Sequence, residues 1–501
     1  MVPDYIKYIR ILVLVHSKIH FSKMIYQRII QVLIMAFVSI VNNANAQSPL
    51  KAGAAKVNIT PELGAVINGD FLPLYAKTIH DSLYAKALAF DNGKERFVFV
   101  VVDCMAIDGS LMDEAKKLVK QKTGLLPGQI MISSTHAHSC GAVRGNAVCP
   151  ANFSYRLAMP ELIAKSVALA LSNLQPAKIA WGHIDVPQHV SCRRWFMKPG
   201  FTTLSPFGDT DKVWMNPPMG SPYLDKPVSP VDPQVSYLAV KTMSDKWISI
   251  MANYSIHYSA DIPEHTISAD YFGEVHKQLQ QRLNAGNAFV GIMTNGTSGD
   301  VNTFDFKLER NYPKEPYGKS KLIANDVSDS IIVSLEKAKF ESKPQFKFTY
   351  SFLPVGTRKP TDIQVKKSKQ IVSQLDFETL KSIDKASAVF ANMYAIQTLE
   401  LNQYYKATLN LPIQAIHLGE GTIGTLPGEL FSETGLWLKK NAPSKYYFTI
   451  CLANSYVGYI PPAPQFKLGG YETWLCPTSY MEVNAEEKIK KRLLELVKFV
   501  Q

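Results

Sequence analysis

Short apolar runs that stop abruptly in polar residues recur along this sequence and constrain its fold more than any other feature. Each run is rich in β-branched or aromatic residues, and turn-forming residues bound it, which is the pattern of a buried strand. The clearest runs are residues 97–102, 130–132, 247–251, 289–293, 423–426 and 447–452. In α/β proteins, sites form outside the carboxyl ends of such strands. We therefore predict an α/β fold with a β-sheet core, flanking helices and one site at the strand ends.

Two histidines, His136 and His138, stand one residue apart just after the run at 130–132. Because side chains alternate along a strand, both imidazoles are predicted to point to the same side. There they could reach one divalent cation, or one cation and one substrate. The alternative is a pair of surface or hydrogen-bonded histidines, since imidazole is a common structural side chain as well as a metal ligand. Only 11 histidines occur in 501 residues, so the pairing favours a site.

Other runs lead to residues with similar chemistry, although each has an ordinary explanation when taken singly. His257, Glu429 and Tyr459 each follow one of the runs. Alone, His257 is typical of a hydrogen-bonded core histidine, and Glu429 of a turn entering a helix. Tyr459 alone is typical of a packed aromatic residue with a hydrated hydroxyl. Asp103 and Asp300, at two further strand ends, are expected to orient ligands or cap turns.

Together these residues fall in motifs that resemble the catalytic domain of the neutral/alkaline, non-lysosomal ceramidases. The resemblance covers most of residues 50–480, and its T-H-x-H-S and P-G-E pieces are specific in combination. The matching pieces are residues 52–61, 79–87, 135–139, 267–270, 298–301, 426–429 and 454–459. The resemblance implies a mixed β-sheet core with flanking helices.

The resemblance also implies a zinc site, because zinc in that family is held by two histidines, a glutamate and a tyrosine. The matching residues here are His136, His257, Glu429 and Tyr459. Two imidazoles, a carboxylate and a phenol are zinc donors or near-donors, and an open position would carry water. A metal-bound water attacks carbonyl carbons, so the implied activity is hydrolysis of an amide bond.

Three further residues are expected to be catalytic without being primary ligands. His138 would lie beside the metal, where it can accept or deliver a proton. An active-site arginine of the family is best matched by Arg193, with Arg194 close behind, and a distal tyrosine is matched by Tyr471. Arg193 and Tyr471 could donate hydrogen bonds to the oxyanion that forms at the attacked carbon.

The sequence departs from the family around the metal motifs. Gly296 stands where the family has a serine near the scissile amide, and Gly470 replaces an arginine before the distal tyrosine. The loop at 198–228 differs, and the chain ends where ceramidases add an immunoglobulin-like domain, so a catalytic domain alone is expected. Two alternatives stay open: the same metal site acting on a glycan or a glycan-linked ester or amide, or a non-catalytic binding protein that keeps the fold.

The first 46 residues are expected to precede the mature protein. Met24 is a second possible start, followed by a charged stretch, an apolar stretch at 29–41 and the cleavage-like Ala44-Asn45-Ala46. We predict a signal peptide over 24–46 after an upstream extension, and a periplasmic or secreted protein cleaved near Ala46. The apolar stretch is short for a membrane anchor.

Residues 47–501 are predicted to form a single catalytic domain, because the candidate ligands lie near both of its ends. Within it, residues 311–410 are lysine-rich and more helical, which indicates a lid or an insertion over the site. Further helices are predicted at 110–121, at 160–174 with a proline in the first turn, and at 483–500.

The composition is that of a large globular enzyme, with 46% hydrophobic and 19% charged residues. The net charge is +12, but no basic-aromatic motif indicates nucleic acid. A mildly basic surface suits peripheral contact with anionic membranes or acidic glycans. The absence of C-x-x-C among six cysteines excludes a cysteine zinc knuckle. Export would permit disulfides, with Cys140–Cys149 and Cys451–Cys476 as open pairings.

Overall fold

The computed structural model describes residues 49–67, 72–376 and 389–501, together with Arg28, Ile30 and Gln31. The chain divides into two compact units, residues 1–48 and residues 49–501. Apart from those three residues, the predicted signal peptide lies outside the described residues. The second unit carries all the predicted site residues.

The larger of two main sheets has eight strands and is mixed, as the resemblance implied. In sheet order it reads β8-β7-β6-β5-β1-β2-β3-β4. The pairs β7–β8 and β3–β4 are parallel, and the other neighbours are antiparallel. The strands are β1 (Lys51–Asn58), β2 (Tyr84–Asp91), β3 (Arg96–Val102), β4 (Ile130–Ser134), β5 (Gln175–Asp185), β6 (Gln234–Thr242), β7 (Trp247–Tyr254) and β8 (Val290–Asn295).

A second sheet of four strands packs face to face on the first. Its strands lie in sequence order: β9 (Phe346–Gly356), β10 (Thr408–Leu418), β11 (Gly421–Thr425) and β12 (Tyr446–Ile450). Aromatic rings fill the space between the sheets, and the ring centroids of Phe97 and Phe348 are 5.2 Å apart. The indole of Trp181 donates to the carbonyl oxygen of Leu418 at 2.8 Å, so the sheets are also joined by a buried hydrogen bond.

Helices cover the outer faces of both sheets. The described part of the chain contains α1 (Gly109–Thr123), α2 (Phe153–Ser172), α3 (Asp270–Arg282), α4 (Gly318–Leu335), α5 (Asp362–Ser373), α6 (Val389–Gln403), α7 (Ser432–Asn441) and α8 (Ala485–Val500). Apolar residues of α1 to α4 pack on the larger sheet, and those of α8 pack on the smaller one. Within the described residues, none of the helices has the length and apolar character needed to cross a bilayer. The result is a four-layer arrangement of helices, two sheets and a helix.

Shorter strands pair in the loops between these layers. They are Val66–Ile67 with Leu74–Tyr75, Thr78–Ile79 with Thr266–Ile267, Ser191–Cys192 with Val301–Asn302, Glu429–Leu430 with Tyr459–Ile460, and a three-stranded sheet of Arg194–Met197, Val213–Met215 and Leu224–Pro227. Several of these pairs hold site residues in place.

The predicted start of the second helix is wrong. The helix begins at Phe153, and Pro160 lies inside it rather than in its first turn. The side chain of Asn152 accepts the backbone N–H of Tyr155 and caps the helix, which is a stronger start signal than a proline. Proline lacks an N–H and weakens a helix interior. Burial of Met159 and Ile163 against the sheet offsets that loss.

The segment 311–410 is not a separate helical insertion throughout. Its α4 packs on the larger sheet, and β9 is a strand of the smaller sheet, so both belong to the core layers. The other two helices of the segment, α5 and α6, are not part of those layers, so the prediction of a lid applies only to them. Residues 377–388, between those two helices, lie outside the described residues.

The two sheets are joined at the carboxyl ends of their strands. Backbone hydrogen bonds run from Cys451 N to Asn295 O at 2.9 Å and from Asn454 N to Ile132 O at 2.7 Å. The side chain of Asn454 accepts from Lys116 Nζ at 2.8 Å and from Ile132 N at 3.2 Å. One asparagine therefore satisfies a buried lysine and a backbone N–H of the edge strand β4, and it brings the strand-end loops of both sheets together.

Replacing this asparagine is expected to destabilise the protein. Asn454→Ala leaves two buried donors without an acceptor and places alanine at a φ of 61°, a conformation that asparagine tolerates better. We expect the free energy of unfolding to fall by about 2–4 kcal/mol in urea denaturation. Asn441→Ala, which removes one hydrogen bond at the exposed end of α7, is the matched control and should change it by about 0.5 kcal/mol or less. Equal losses in the two variants would contradict this role.

Candidate metal centre

His136 and His138 converge, but they do so in a turn rather than along a strand. β4 ends at Ser134, and His136 has a φ of 71°, in the left-handed region. Its backbone N–H donates to Cys104 O at 3.0 Å, which holds the turn. The Nε2 atoms of the two histidines are 3.4 Å apart. The prediction that both imidazoles reach one place is confirmed, whereas strand alternation was the wrong reason for it.

His257 and Glu429 join this pair from two other strand ends. Candidate ligand nitrogens of His136, His138 and His257 all lie within 4.8 Å of one another. Glu429 Oε2 lies 3.2 Å from His136 Nε2. Tyr459 stands beside Glu429 because the strands Glu429–Leu430 and Tyr459–Ile460 pair in parallel with these two residues in register. The structure thus brings the predicted ligands to one wall.

Hydrogen bonds to the outer atoms of these side chains set their orientation. His136 Nδ1 lies 2.9 Å from the carbonyl oxygen of Met105, and His257 Nδ1 lies 3.3 Å from that of Ser298. A carbonyl oxygen only accepts, so each Nδ1 carries a proton and each Nε2 is the ring atom that faces the centre. The Tyr456 hydroxyl donates to Glu429 Oε1 at 2.7 Å and leaves Oε2 facing the histidines. Such outer partners are typical of metal ligands.

Burial and neighbouring charges set the protonation of the cluster. Burial, Arg193 and the other two histidines hold the pKa of His257 well below its ordinary value. Burial opposes ionisation of Glu429, but His136, Tyr456 and Arg193 together lower its pKa to about 2. Burial would lower the pKa of His136, but Glu429 and the Met105 carbonyl oxygen raise it. Binding of a cation would therefore displace a proton from His136, because a ligand imidazole must be neutral.

The donor set fits a divalent cation such as zinc. Glu429 Oε2 lies 3.2 Å from His136 Nε2, and the raised pKa of His136 beside the lowered pKa of Glu429 places a proton between the two atoms. A divalent cation can take the place of that proton, because both atoms then present lone pairs to it. Imidazole nitrogen and carboxylate oxygen are also the donors that zinc prefers.

Arg193 reaches the same centre and is held there by Glu472. Arg193 Nε donates to Glu472 Oε1 at 2.7 Å, and Arg194 Nη1 donates to Oε2 of the same carboxylate at 2.5 Å. Arg193 Nη1 lies 3.5 Å from His257 Nε2, and its guanidinium carbon lies 5.3 Å from the centre of the Tyr459 ring. Arg194 instead turns to Gly469 O, so Arg193 is the arginine at the centre.

The centre forms part of the lining of a cavity of about 890 Å³. His138 stacks on Tyr258, with ring centroids 3.9 Å apart, and Tyr471 lies 5.7 Å from the ring of Tyr459. One wall is largely apolar and comes from the loop at 198–228, with Phe201, Leu204, Pro206, Trp214, Met215 and Pro218. All seven predicted site residues, His136, His138, Arg193, His257, Glu429, Tyr459 and Tyr471, line this cavity.

Sequence reasoning assigned no role to Tyr456 or Glu472, although both orient residues of the centre. Tyr456 lies within the N-x-Y-x-x-Y motif, and Glu472 directly follows Tyr471. A polar residue beside an assigned site residue is the signal that was available. Only the contacts show that Glu472 holds Arg193 and that Tyr456 holds Glu429.

Gly296 is packed too closely for a larger residue. A Cβ atom built on this glycine would lie 2.4 Å from the Oγ atom of Ser255 and 3.1 Å from its Cα. A serine at position 296 would therefore require Ser255 to move. The absence of a side chain at position 296 therefore leaves room for Ser255, which follows the neighbouring strand β7.

The remaining predicted polar residues have structural partners. Asp103 pairs with Lys86 at 3.0 Å, and Asp300 Oδ1 accepts the backbone N–H of Ser432 at 2.7 Å, at the start of α7. The six cysteines are buried thiols, so the two disulfide pairings left open by the sequence are not formed.

Comparison with known proteins identifies the fold. No protein family model matches the sequence. A neutral ceramidase from Pseudomonas aeruginosa aligns with a TM-score of 0.67 at 16% identity, over 90% of this chain and 74% of that chain. A ceramidase complexed with C2 aligns with a TM-score of 0.65 at 14% identity, over 90% and 75% of the two chains. The chain therefore has a neutral-ceramidase-like fold, as its motifs predicted.

Removing the charge of Glu472 is expected to destabilise the protein strongly. Glu472→Gln leaves two buried arginines without their shared carboxylate, and breaking a buried ion pair in this way costs about 3–5 kcal/mol. Urea denaturation measures the loss. Glu433→Gln is the matched control, because Glu433 accepts a hydrogen bond from Gln465 in the same region without an arginine partner. A loss below about 1 kcal/mol for Glu472→Gln would contradict the ionic role.

Proposed function

We propose that the protein is an exported, zinc-dependent hydrolase that cleaves an amide bond. The observation that carries the proposal is the buried cluster of three histidines and a glutamate: ligand nitrogens of His136, His138 and His257 lie within 4.8 Å of one another, and Glu429 Oε2 lies 3.2 Å from His136 Nε2. The neutral-ceramidase-like fold supports the same reaction class. Export rests on the N-terminal sequence pattern alone.

The residues of the centre divide into ligands and proton or charge donors. His136, His257, Glu429 and Tyr459 would hold the zinc ion, with the Tyr459 hydroxyl neutral because burial raises its pKa well above the ordinary value. Bound there, zinc would supply a water of lowered pKa and polarise a carbonyl group. His138, whose Nε2 lies 3.4 Å from that of His136, would accept a proton and deliver it to the leaving amine.

Arg193 and Tyr471 complete the centre as hydrogen-bond donors. Arg193 Nη2 is buried and has no acceptor among the described residues, while its Nε is fixed by Glu472. A donor that is positioned before the reaction stabilises developing negative charge at little reorganisation cost. The Tyr471 hydroxyl would donate to the same oxygen.

The apolar wall supports a substrate with an acyl or alkyl chain. Phe201, Leu204 and Trp214 belong to this wall. One structural neighbour is described as complexed with C2. Long-chain ceramide itself is expected to be a poor substrate, because the loop at 198–228 and the packing at Gly296 differ from the family.

A second candidate function is the same centre acting on a glycan or a glycan-linked ester or amide. It is favoured by polar side chains on another wall of the cavity, Gln397 and Glu400 of α6. A binding protein without catalysis is disfavoured because all four proposed ligands are present at the centre.

The zinc-dependent reaction can be tested with purified protein lacking the first 46 residues. We expect about one zinc per chain and hydrolysis of at least one substrate among ceramides, N-acyl amino acids and N-acyl oligosaccharides. A chelator should abolish that hydrolysis, and zinc should restore it. His136→Ala and His257→Ala should lose the metal, whereas His183→Ala, at an exposed histidine of β5, should keep metal and activity. Full zinc content in both site variants would overturn the assignment.

His138 is expected to transfer a proton without binding zinc, unlike the four proposed ligands. His138→Ala should keep zinc and reduce kcat by about 10²-fold or more, because proton transfer by a positioned side chain contributes at least that much. Zinc analysis and steady-state kinetics on the same preparation measure the two effects. Loss of zinc together with activity would make His138 a ligand, in keeping with its place in the three-histidine group.

A further inference from the structure

Two lysines stand opposite each other on the larger sheet, and neither lines the cavity. Lys56 of β1 pairs with Lys86 of β2 across the two antiparallel strands, so the two side chains lie on the same face. Lys86 is buried and forms an ion pair with Asp103 at 3.0 Å. Lys56 is half-buried, and like charges directly opposite each other destabilise a sheet. The pairing therefore disfavours a second ammonium group at Lys56.

The partner of Lys56 is His276 of α3, whose protonation is fixed by a backbone contact. His276 Nδ1 accepts the N–H of Gly291, a residue of the edge strand β8, at 2.9 Å. A ring nitrogen that accepts carries no proton, and a neutral imidazole carries one proton in all, so that proton is on Nε2. Burial and the neighbouring lysines lower the pKa of His276 to about 3, which keeps the ring neutral. His276 Nε2 is therefore a donor.

This donor requires Lys56 to be an unprotonated amine. Lys56 Nζ lies 2.8 Å from His276 Nε2. An ammonium group only donates, so a charged Lys56 would set two donors against each other, whereas a neutral amine accepts from Nε2. Burial and the charge of Lys86 lower the pKa of Lys56, and Asp103 opposes them. The Tyr84 ring, 4.9 Å from Nζ, favours the charged form but does not remove the conflict with the Nε2 proton.

We propose that Lys56 is a modification site for carbon dioxide, which its amine converts to a carbamate beside His276. The Nζ lone pair forms a bond to the carbon of CO2, and one C=O π bond breaks as its electron pair moves to oxygen. The amine nitrogen then loses one proton to solvent. No oxidant, metal or second substrate is needed, so the site is independent of the metal centre.

The surroundings favour an anionic product at Lys56 over a neutral one. A carbamate oxygen would accept the Nε2 proton of His276 in place of the amine, so the imidazole keeps its hydrogen bond. The same anion would face the ammonium group of Lys86, and attraction would replace the repulsion between two cations. An acyl group on Lys56 would give a neutral amide without this attraction. Carbon dioxide is therefore the electrophile that the charges around Lys56 suit best.

Trapping of the carbamate tests the site directly. The full chain is incubated near neutral pH with isotope-labelled bicarbonate, carbamates are alkylated with triethyloxonium, and the labelled lysines are identified by peptide mass spectrometry. Lys56 should carry at least about fivefold more label than Lys51, the exposed lysine of the same strand, because only the neutral amine and its carbamate accept the hydrogen bond of His276. Equal labelling of the two lysines, or no carbamate at Lys56, would overturn the proposal.

Variants test the contribution of His276. His276→Gln offers an amide oxygen to the ammonium form, so Lys56 can become charged and its labelling should fall to the level of Lys51. Lys51→Arg is the control and should leave the labelling of Lys56 unchanged. Unchanged labelling of Lys56 in a folded His276→Gln protein would contradict the role given to the imidazole.

Reactivity with acetic anhydride over a pH series covers a His276→Gln variant that does not fold. In the wild-type protein, acetylation of Lys56 should reach half of its maximum at a lower pH than acetylation of Lys51, since the reagent attacks only a neutral amine and the pKa of Lys56 is lowered. As the pH falls through that pKa, carbamate labelling should disappear together with acetylation. Coincident midpoints for the two lysines would rule out an unprotonated Lys56, and an early midpoint without any carbamate would rule out carbon dioxide.

Discussion

The approach of His136 Nε2 to Glu429 Oε2, at 3.2 Å, is the contact on which the rest of the site depends. The two residues come from different sheets, one after β4 and one after β11. Their contact therefore requires the strand ends of both sheets to meet, which the backbone hydrogen bonds of Cys451 and Asn454 achieve. A shared cation would replace the proton between these two atoms and would link the two layers.

The surroundings of this contact combine strain with buried charge. His136 and Asn454 adopt left-handed backbone conformations, and Glu472 balances two arginines in the interior. Arrangements of this kind lower stability and persist mainly where function requires a fixed geometry. The centre is built from residues at the strand ends of both sheets, whereas the cavity walls also include the loop at 198–228 and α6.

The strands and most helices were predictable because their apolar periodicity reflects burial directly. The runs at 97–102 and 447–452 became β3 and β12 within a few residues. The helix start predicted from Pro160 was wrong because Asn152, eight residues earlier, caps the helix. The strand β9 within the segment 311–410 was not predicted, because its residues are largely half-buried and give a weak strand pattern.

By itself, the sequence predicted the fold class and seven of the residues that line the cavity, since motifs at strand ends are local and the ligand types are chemically distinctive. Only the tertiary structure decided which atoms face one another. The tautomer of His136 depends on the carbonyl oxygen of Met105, and the position of Arg193 depends on Glu472, which lies 279 residues away in the chain. Such contacts join distant segments, and no local pattern of residues encodes them.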